Sequence, residues 1–458
     1  MPTKFDAIVI GSGQSGPSLV ERFAAAGQRV AMIERKYFGG TCVNTGCVPT
    51  KTLVASAYVA HMARRAMEYG VDTGPVSVDM KRVKARKDAI VEKSRNGVKR
   101  WMQTMKNVTV FEGHGRFTGP KTVAVGGDVL QADKIVINTG GRATVPPMPG
   151  LDQVPYFTNS TLLESDILPE HLLIVGGSYI GLEFAQAYRR FGAKVTVVEM
   201  GERLIGREDQ DVSDTVREIL EAEGIDVRLN AKCLAAEKDG DGVAMNLGCS
   251  EGAPRVRGSH MLLAVGRRPN TDDLGLDKAG IATDARGYVT VDDQCQTNVD
   301  GVWAIGDVNG RGAFTHTSYN DFEIVAANLF DNDPRRISDR ISCYGLFVDP
   351  PLGRVGMTDT EVKAKGIKAL TAKRMMTSIG RARERGETLG FMKVTVDAAS
   401  KKILGAALLG LNGDEVVHAF LDVMAAGLPY TAISRTMHIH PTVAEYLPTL
   451  LGELKPLE

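Results

Sequence analysis

Short apolar runs alternate with amphipathic stretches in the first part of the chain. Asp6–Ile10 and Val30–Ile33 are predicted to be buried strands, and apolar residues recur at helical spacing between them, from Leu19 to Ala24. The order strand, helix, strand predicts a parallel sheet with a crossover helix. Farther on, the charged region Ala55–Met105 has helical periodicity and is predicted to form a solvated pair of helices.

The same pattern returns in the middle of the chain. Leu172–Val175 and Val195–Val198 are predicted strands, and Leu182–Phe191 is the predicted helix between them. Internal repetition of this kind points to two copies of one supersecondary unit. The Pro-rich stretch Val145–Gly150 is predicted to mark the boundary before the second copy.

The chain changes character after about Asp339. Ile403–Leu409 is predicted to be an antiparallel strand, and Glu415–Ala426 and Tyr430–Met437 are predicted to be helices. The predicted fold class is α/β, with two Rossmann-like dinucleotide-binding domains and a C-terminal α+β domain. The predicted divisions are a first domain in two parts, a second domain between them and the C-terminal domain: 1–148, 265–338, 149–264 and 339–458.

Composition narrows the possible functions. The 458 residues carry 55 basic and 55 acidic side chains, so electrostatics gives no reason to expect nucleic acid or an anionic membrane as a partner. The N-terminus lacks the pattern of a signal peptide, and we find no apolar run long enough to span a membrane. A reducing cytoplasm is therefore the expected compartment, and a close pair of cysteines there is more often catalytic or metal-binding than structural.

The first repeat carries a dinucleotide-binding turn. Gly11, Gly13 and Gly16 follow the first strand in the order G-x-G-x-x-G, which gives a tight turn, close approach to a pyrophosphate and close helix packing. The N-terminus of the following helix offers free N–H groups to the phosphates. Glu34 ends the next strand and is predicted to accept hydrogen bonds from ribose hydroxyls.

The second repeat carries a similar turn with one departure. Gly176 and Gly181 keep their places, whereas Ser178 stands at the middle glycine position. Its Cβ is predicted to restrict how closely the backbone approaches a pyrophosphate. Glu199 ends the following strand, at the same distance from its turn as Glu34.

Glu199 bears on the choice of nicotinamide cofactor. A carboxylate accepts the 2′-hydroxyl of NADH and repels the 2′-phosphate of NADPH. We therefore expect NADH to be preferred, with NADPH possible because Arg203 and Arg207 follow closely.

Cys42 and Cys47 come directly after the first repeat. Their spacing differs from that of zinc ligands, and no second pair completes a four-ligand set, so we expect no metal site. We interpret them as a redox disulfide held against the cofactor of the first turn. Lys51, or the helix that it begins, is expected to stabilise a thiolate. The alternative is two buried thiols of no consequence.

Several motifs together resemble the class I flavoprotein disulfide reductases, which include dihydrolipoamide dehydrogenase, glutathione reductase and mercuric reductase. Gly39–Lys51 resembles their redox motif, Val265–Asn270 the link between nucleotide domains, and Ala304–Asp307 their second flavin motif. His440–Glu445 resembles their C-terminal signature. The resemblance covers nearly the whole chain and implies FAD and NADH as cofactors.

The resemblance also implies roles for the site residues. Cys42 would attack the substrate, and Cys47 would face the flavin as a thiolate. Lys51 and Glu183 would form an ion pair near the flavin. Tyr179 would be an aromatic lid that moves when the nicotinamide binds.

The remaining implied roles concern the subunit partner and the cofactors. His440, oriented by Glu445, would act as acid and base on the cysteines of the other subunit, so the family is a homodimer with a shared active site and a C-terminal dimerisation domain. Asp307 would bind the ribityl chain. Four further positions are assigned to cofactor binding: Thr41, Thr139, Gly140 and Gly266.

Substrate identity stays open at this point. The preferred hypothesis is a small disulfide or dithiol, and the alternative is a metal ion, Hg(II) or Cu(II), reduced by the same thiols. Phe347–Gly356 and Arg381–Arg383 are most similar to the branch linked to reactive-chlorine resistance and metal reduction, whereas no cysteine follows Cys343 as it does in mercuric reductases. A third possibility is a non-enzymatic redox sensor, against which the complete set of catalytic motifs argues.

Overall fold

The computed structural model describes residues 1–248 and 254–458. Of the six cysteines in the sequence, Cys249 lies outside the described residues. The first sheet has five parallel strands, from one edge to the other Val302–Ala304, Lys134–Ile137, Ala7–Ile10, Val30–Glu34 and Val108–Glu112. Ala7–Ile10 is buried along its whole length, and Val30–Glu34 is buried at every residue except Glu34. This burial explains why they are continuous apolar runs, since helices or a second sheet cover both faces of a parallel sheet.

This part of the chain also contains a smaller sheet and several helices. The four strands of the smaller sheet are, in spatial order, Thr3–Lys4, Asp128–Gln131, Thr122–Val125 and Arg116–Gly119. The helices are Gly16–Ala25, Gly40–Asn44, Cys47–Arg65, Met80–Thr104 and Thr315–Ala326. The predicted helix pair is thus present, and Asp79 caps its second member by accepting from the N–H groups of Lys81 (2.9 Å) and Arg82 (3.2 Å).

The second repeat builds its own five-stranded parallel sheet. Its strands are, in spatial order, Phe157–Thr158, His260–Leu263, His171–Val175, Lys194–Val198 and Asp226–Arg228. An antiparallel meander packs on it and consists of Lys232–Asp239, Gly242–Gly248 and Arg255–Gly258. Helices Asn159–Glu164, Tyr179–Phe191 and Gln210–Ala222 complete this part of the chain.

The chain then returns to the first sheet. Arg267–Pro269 pairs antiparallel with Gly141–Ala143, the strand by which the chain left. Val302–Ala304 then adds to the edge of the first sheet beside Lys134–Ile137. Residues more than 150 positions apart are thereby brought to one sheet, and the carboxyl ends of its strands meet at one edge.

The C-terminal part is a six-stranded antiparallel sheet with short helices. Its strands are, in spatial order, Cys343–Leu346, Leu352–Gly356, Ile403–Leu409, Phe391–Asp397, Ala369–Met375 and Lys455–Pro456. The helices of this part are Asp359–Ala364, Gly380–Glu384, Gly413–Val416, His418–Ala425, Thr431–Ser434 and Leu447–Leu451. The predicted α/β class, with two Rossmann-like sheets and an α+β C-terminal part, is confirmed.

Two predicted helices differ in extent from the observed ones. The segment predicted as Glu415–Ala426 consists of two helices that meet at Val417. The segment predicted as Tyr430–Met437 is helical only over Thr431–Ser434, because the chain beyond it lies on the surface, where Met437 is 96% exposed and makes no packed face for a helix. In the described part of the chain, no helix has the length and apolar character needed to cross a membrane.

Candidate active site

A continuous cavity of about 1430 Å³ joins both glycine turns to the cysteine pair. Predicted site residues that line it are Gly11, Gly13, Glu34, Thr41, Cys42, Cys47, Lys51, Thr139, Gly140, Gly176, Ser178, Tyr179, Glu183, Glu199, Gly266 and Asp307. Within the described residues, its lining does not include Gly16, Gly181, His440 or Glu445. The fold therefore gathers most of the predicted site in one space and leaves the predicted acid–base pair outside it.

The first turn needs glycine at two of its three positions for the packing of the protein itself. Gly11 has φ +106°, and a Cβ there would lie 2.2 Å from the carbonyl oxygen of Asn138. A Cβ on Gly16 would lie 2.4 Å from the carbonyl oxygen of Gly11, whereas one on Gly13 would meet no atom closer than 3.5 Å. The side-chain amide of Asn138 donates to the carbonyls of Gly11 (3.0 Å) and Gly13 (3.2 Å) and holds the turn closed.

The second turn repeats this geometry. Gly176 has φ +112°, and a Cβ there would lie 2.4 Å from the carbonyl oxygen of Ala264. A Cβ on Gly181 would lie 2.1 Å from the carbonyl oxygen of Gly176. Ser178 is exposed at the middle position. Since a Cβ on the corresponding Gly13 would meet its neighbours only at ordinary van der Waals distance, we expect any effect of Ser178 to fall on a ligand and to leave the packing of the turn unchanged.

The two strand-ending carboxylates are held by equivalent hydrogen bonds. Glu34 accepts from the backbone N–H of Ser12 (2.9 Å), and Glu199 accepts from the backbone N–H of Gly177 (2.6 Å). Each also accepts from the N–H two residues farther along, at 2.8 Å for Glu34 and 2.7 Å for Glu199. Both carboxylates are thus fixed beside their turns and present acceptors to the cavity.

Asp307 lines the cavity and faces a cation. The Nε of Arg267 lies 3.5 Å from its Oδ2, and the same guanidinium donates to the hydroxyl of Thr41 at 3.4 Å and to the carbonyl of Gly141. Burial raises the pKa of Asp307, and the charge of Arg267 opposes that shift. Arg267 thereby connects the returning segment to the redox motif.

The Thr139–Gly140 turn is joined to the returning segment by Asn270. The Thr139 hydroxyl donates to the Asn270 carbonyl at 3.0 Å, and the Asn270 side chain donates back to the Thr139 carbonyl at 2.8 Å. The Asn270 N–H donates to the Gly140 carbonyl at 3.0 Å. These bonds fix the strand end that faces the cavity beside the first turn.

The two cysteines occupy different helices. Cys42 lies in the short helix Gly40–Asn44, and Cys47 is the first residue of helix Cys47–Arg65. Both are free thiols in this structure, and the Sγ of Cys47 lies 3.1 Å from the hydroxyl of Thr315. A hydrogen bond with Cys42 lowers the pKa of Cys47 to about 6, with further help from Thr315 and Lys51. The same hydrogen bond, together with burial, raises the pKa of Cys42.

Lys51 lies one helical turn beyond Cys47 and is paired. Its Nζ lies 2.6 Å from Oε2 of Glu183, a side chain that is only 5% exposed. The other oxygen of Glu183 accepts from the backbone N–H of Phe347 at 3.2 Å, and the ring of Phe347 lies 4.5 Å from the Lys51 ammonium. The predicted ion pair is therefore present beside the thiols, and it joins three separate parts of the chain.

His440 and Glu445 form a hydrogen-bonded pair on the surface. The Nδ1 of His440 lies 2.8 Å from Oε2 of Glu445, and the histidine side chain is 80% exposed. The neighbouring Ile439 is also 80% exposed. The imidazole is thus oriented and uncovered, away from the cysteines of its own chain.

Tyr179, a residue of the second turn, packs in a cluster of aromatic rings. Its ring lies edge-on to Phe314 and to Tyr344, with both centroids 5.6 Å away. Phe314 and Tyr344 stack on each other at 5.8 Å. The hydroxyl of Tyr344 donates to the buried carboxylate of Glu208. Tyr179 therefore packs against Tyr344, which is itself held in place by its hydrogen bond to Glu208.

The donor sets fit two dinucleotides. Each turn offers a helix N-terminus and a cradle that side chains would fill. Each also has a glutamate, Glu34 or Glu199, that is held beside it in the place expected for a carboxylate that binds ribose. The thiols, Thr315 and Lys51 line the space between the turns. The arrangement can hold two nucleotides whose reactive ends meet near a thiolate.

Comparison with known proteins agrees with this geometry. Residues 5–321 match the family described as pyridine nucleotide-disulphide oxidoreductase, and residues 343–451 match its dimerisation domain. The chain is 36% identical over 460 residues to the probable pyridine nucleotide-disulfide oxidoreductase RclA of Escherichia coli, with 99% of this chain and 100% of that protein covered. It is 33% identical to a mercuric reductase of Streptomyces lividans, with 97% and 95% covered.

A solved structure is also similar. The Cu(II) complex of the HOCl-induced flavoprotein disulfide reductase RclA from Escherichia coli superimposes with a TM-score of 0.89 at 35% identity, covering 98% of this chain and 99% of that one. The chain belongs to the pyridine nucleotide-disulphide oxidoreductase family and is a flavoprotein oxidoreductase. The expected family is confirmed, and the similarity to RclA agrees with the expected place near the reactive-chlorine branch.

Sequence reasoning missed several residues of the site. Asn138 ends a strand next to the first turn, and that position alone is a usable signal, because carboxyl ends of parallel strands meet at one edge. Thr315 begins the helix that follows the Ala304–Asp307 motif and had no local signal. Tyr344 and Glu208 had none either, because they are brought together across 136 positions of the chain.

Proposed function

We propose that the chain takes electrons from NADH and passes them by way of FAD to Cys42 and Cys47, and on to a small disulfide or dithiol substrate. The observation that supports this most is a cysteine pair in the same cavity as two dinucleotide turns, with one sulfur at a helix N-terminus. Bound FAD would supply hydride acceptance and the return of electrons to a disulfide. It would be held by Gly11, Gly13, Glu34 and Asp307.

Cys47 is proposed to be the sulfur kept as thiolate. The helix that begins at Cys47 directs its positive end at the sulfur, and Thr315 and Lys51 lie beside it. Desolvation and hydrogen bonding leave Cys42 as the thiol that needs a base. The two sulfurs thus have different proton affinities and different tasks.

The thiol chemistry balances with the residues of the chain. The Cys42 thiolate attacks one sulfur of the substrate disulfide, a mixed disulfide forms, and the first substrate thiolate leaves and takes up the proton that Cys42 gave up. The Cys47 thiolate then attacks the sulfur of Cys42, the second substrate thiolate leaves and takes up a proton that comes from water, and a Cys42–Cys47 disulfide remains. Two electrons have passed from the cysteines to the substrate.

The acid and base that moves protons in these steps is proposed to be a histidine of a second subunit. His440 is oriented by Glu445 but lies outside the cavity of its own chain. The dimerisation domain gives a way to place it against the cysteines of the other chain. We therefore propose a homodimer in which His440 of the partner subunit faces Cys42, with Glu445 fixing the imidazole tautomer.

NADH is proposed to be the preferred nicotinamide cofactor. Both oxygens of Glu199 accept from backbone N–H groups, which fixes a negative charge where a 2′-phosphate would lie. Arg203 donates to the side chain of Gln210 at 3.1 Å and is engaged there.

The test is an anaerobic titration of the purified flavoprotein with NADH, and in parallel with NADPH, followed by alkylation and mass spectrometry of Cys42 and Cys47. We expect NADH to convert both cysteines from a disulfide to alkylatable thiols at a higher kcat/KM than NADPH. In Cys42→Ser, substrate turnover should be lost while NADH oxidation by the bound flavin continues. Cysteines that stay unchanged after one equivalent of NADH would contradict the proposed route.

A metal ion is the second candidate substrate, since a relative of this chain has been solved as a Cu(II) complex and another is a mercuric reductase. Assays with lipoamide, glutathione disulfide, Cu(II) and Hg(II) side by side distinguish the two. We expect disulfide reduction to depend strongly on His440, because a leaving thiolate needs a proton, and metal reduction to depend on it far less. Turnover with the metal ions alone would favour the second candidate.

A further inference from the structure

A buried ion network lies behind the nicotinamide side of the cavity and is not used in the proposed chemistry. Its centre is Glu208, whose side chain has no exposed surface, paired with Arg354, which is 2% exposed. The Nε of Arg354 lies 3.2 and 3.1 Å from the two carboxylate oxygens, and its Nη2 donates to one of them. Buried charges as closely paired as these hold their positions tightly, because separating them would leave an unpaired charge.

Glu208 also accepts a hydrogen bond from Tyr344. The hydroxyl of Tyr344 donates to Oε1 of Glu208, and the ring of Tyr344 is one of the two that Tyr179 touches edge-on. The other ring, Phe314, is stacked between Tyr344 and His316. Tyr344 is therefore fixed at its hydroxyl and supports Tyr179 with its ring.

The same network reaches back to the second dinucleotide turn. The N–H of Glu208 donates to the carbonyl of Ile205 at 2.8 Å, and the N–H of Ile205 donates to the carbonyl of Gly177 at 2.9 Å. Gly177 also holds the carboxylate of Glu199. A series of contacts thus connects the second turn, which contains Tyr179, through Ile205 and Glu208 to Tyr344, whose ring contacts Tyr179.

We propose that Tyr344 is a positioning residue that, anchored by Glu208 and Arg354, holds Tyr179 in its resting place and so sets how readily the nicotinamide enters. This rests on the proposed function and on the role that the family resemblance implies for Tyr179, a lid that moves when the nicotinamide binds. When a nucleotide can bind only to molecules in which the ring has moved, its apparent Kd is the intrinsic Kd divided by the fraction of molecules in that state. Loosening Tyr344 therefore raises nicotinamide affinity without altering the thiol chemistry.

The test uses Tyr344→Phe, which removes the hydroxyl and keeps the stacked ring, in the FAD-loaded enzyme. Binding of NAD⁺ to the oxidised protein, measured by isothermal titration calorimetry, should tighten by about three- to tenfold. The kcat for substrate reduction at saturating NADH should stay within about twofold, so that the change falls on KM. Tyr69→Phe removes a hydroxyl that donates to the carbonyl of Arg385, away from the cavity, and should leave NAD⁺ binding unchanged.

A double-mutant cycle separates positioning from direct contact. In a Tyr179→Ala background, Tyr344→Phe should change the Kd of NAD⁺ by less than about twofold, because its effect passes through Tyr179. The same fold-change in both backgrounds, or weaker binding in Tyr344→Phe, would overturn the inference. If Tyr179→Ala alone left the Kd unchanged, Tyr179 would not cover the nicotinamide site, and the inference would fall with that role. Failure of NADH to reduce the cysteines would instead overturn the proposed function.

Discussion

The smallest decisive features of this protein are single atoms placed beside the sulfurs. Cys47 begins a helix, touches the hydroxyl of Thr315 and lies one turn from Lys51. Each of these favours a negative sulfur, and the neighbouring Cys42 thiol adds a hydrogen bond. The reactivity of the pair is therefore a property of local geometry, in which one cysteine keeps the charge and the other the proton.

This geometry predicts the pH dependence of Cys47 alkylation. The pKa of Cys47 is lowered from 9.0 to about 6, so its thiolate is present above pH 6 and is lost as the pH falls through that value. In the reduced Cys42→Ser protein, where a hydroxyl can still donate, the rate of reaction of Cys47 with iodoacetamide should fall with a midpoint near pH 6.

The control for this prediction removes the donor. In Cys42→Ala, the hydrogen bond that contributes most to the shift is absent, and the midpoint should move upward toward that of an ordinary thiol. The two rates are read by mass spectrometry of the Cys47 peptide. Equal midpoints in both variants would show that the neighbouring residue does not set the charge of Cys47.

At the scale of elements, the two glycine turns are nearly copies of each other. Each has a positive φ at its first glycine, each packs its third glycine against the carbonyl of the first, and each fixes a strand-ending glutamate through the N–H that follows the first glycine. The geometry that the two turns share is the part that the protein needs for its own packing. The middle position faces the cavity, which explains why the chain can carry Ser178 there.

The third glycine of the second turn should therefore tolerate no side chain. A Cβ at Gly181 would lie 2.1 Å from a backbone oxygen, so Gly181→Ala should destabilise the protein by about 1–3 kcal/mol through backbone displacement. It should also weaken NAD⁺ binding, because the turn and its helix must separate. Thermal unfolding and calorimetric titration measure the two effects.

Gly97→Ala is the matched control for this substitution. Gly97 is exposed within helix Met80–Thr104, and a Cβ there would meet no atom within 4 Å. Alanine should therefore stabilise the helix by about 0.5–1 kcal/mol and leave NAD⁺ binding unchanged. A loss of stability at Gly97 equal to that at Gly181 would refute the steric explanation.

At the scale of the whole molecule, the two groups of residues that we propose to act together do not meet within one chain. The cysteines lie inside the cavity, whereas His440 is 80% exposed on the surface. The dimerisation domain matched at residues 343–451 includes this histidine. In the proposed homodimer, each active site takes its thiols from one chain and its acid–base pair from the other.

Subunit mixing tests this arrangement. Cys42→Ser and His440→Ala homodimers should both be nearly inactive in disulfide reduction. Equal mixing after dissociation gives heterodimers in one half of the population, and each has one of its two sites intact, so about one quarter of wild-type activity should return (1/2 × 1/2). Tagged subunits purified as heterodimers should show one half.

The mixing experiment has a clear contrary result. If His440 acted on the cysteines of its own chain, the heterodimer would contain no intact site and no activity would return. A variant carrying both substitutions, mixed with wild type, controls for simple subunit exchange.

The sequence predicted the elements whose signals are local. The apolar strands, the glycine turns and the paired glutamates follow from short motifs and appear where expected. The Lys51–Glu183 contact, which only the family resemblance implied, is also present. The helix expected over Tyr430–Met437 was too long, because periodicity does not show that Met437 lacks a surface to pack against. The Tyr344–Glu208–Arg354 network could not be predicted from the sequence, since its members are joined only by tertiary packing and have no motif of their own.

That network has a thermal consequence. Arg354 is also 3.5 Å from Asp209, and Lys393 lies 3.0 Å from Asp209 and 2.9 Å from Asp211, so acidic side chains of the second dinucleotide-binding part are paired with cations of the C-terminal sheet. If one part unfolded first, buried charged side chains of the other part would lose their partners. Heating should therefore give one calorimetric transition for these two parts, and the heat-resistant fragment often left by partial melting of multidomain chains should be missing.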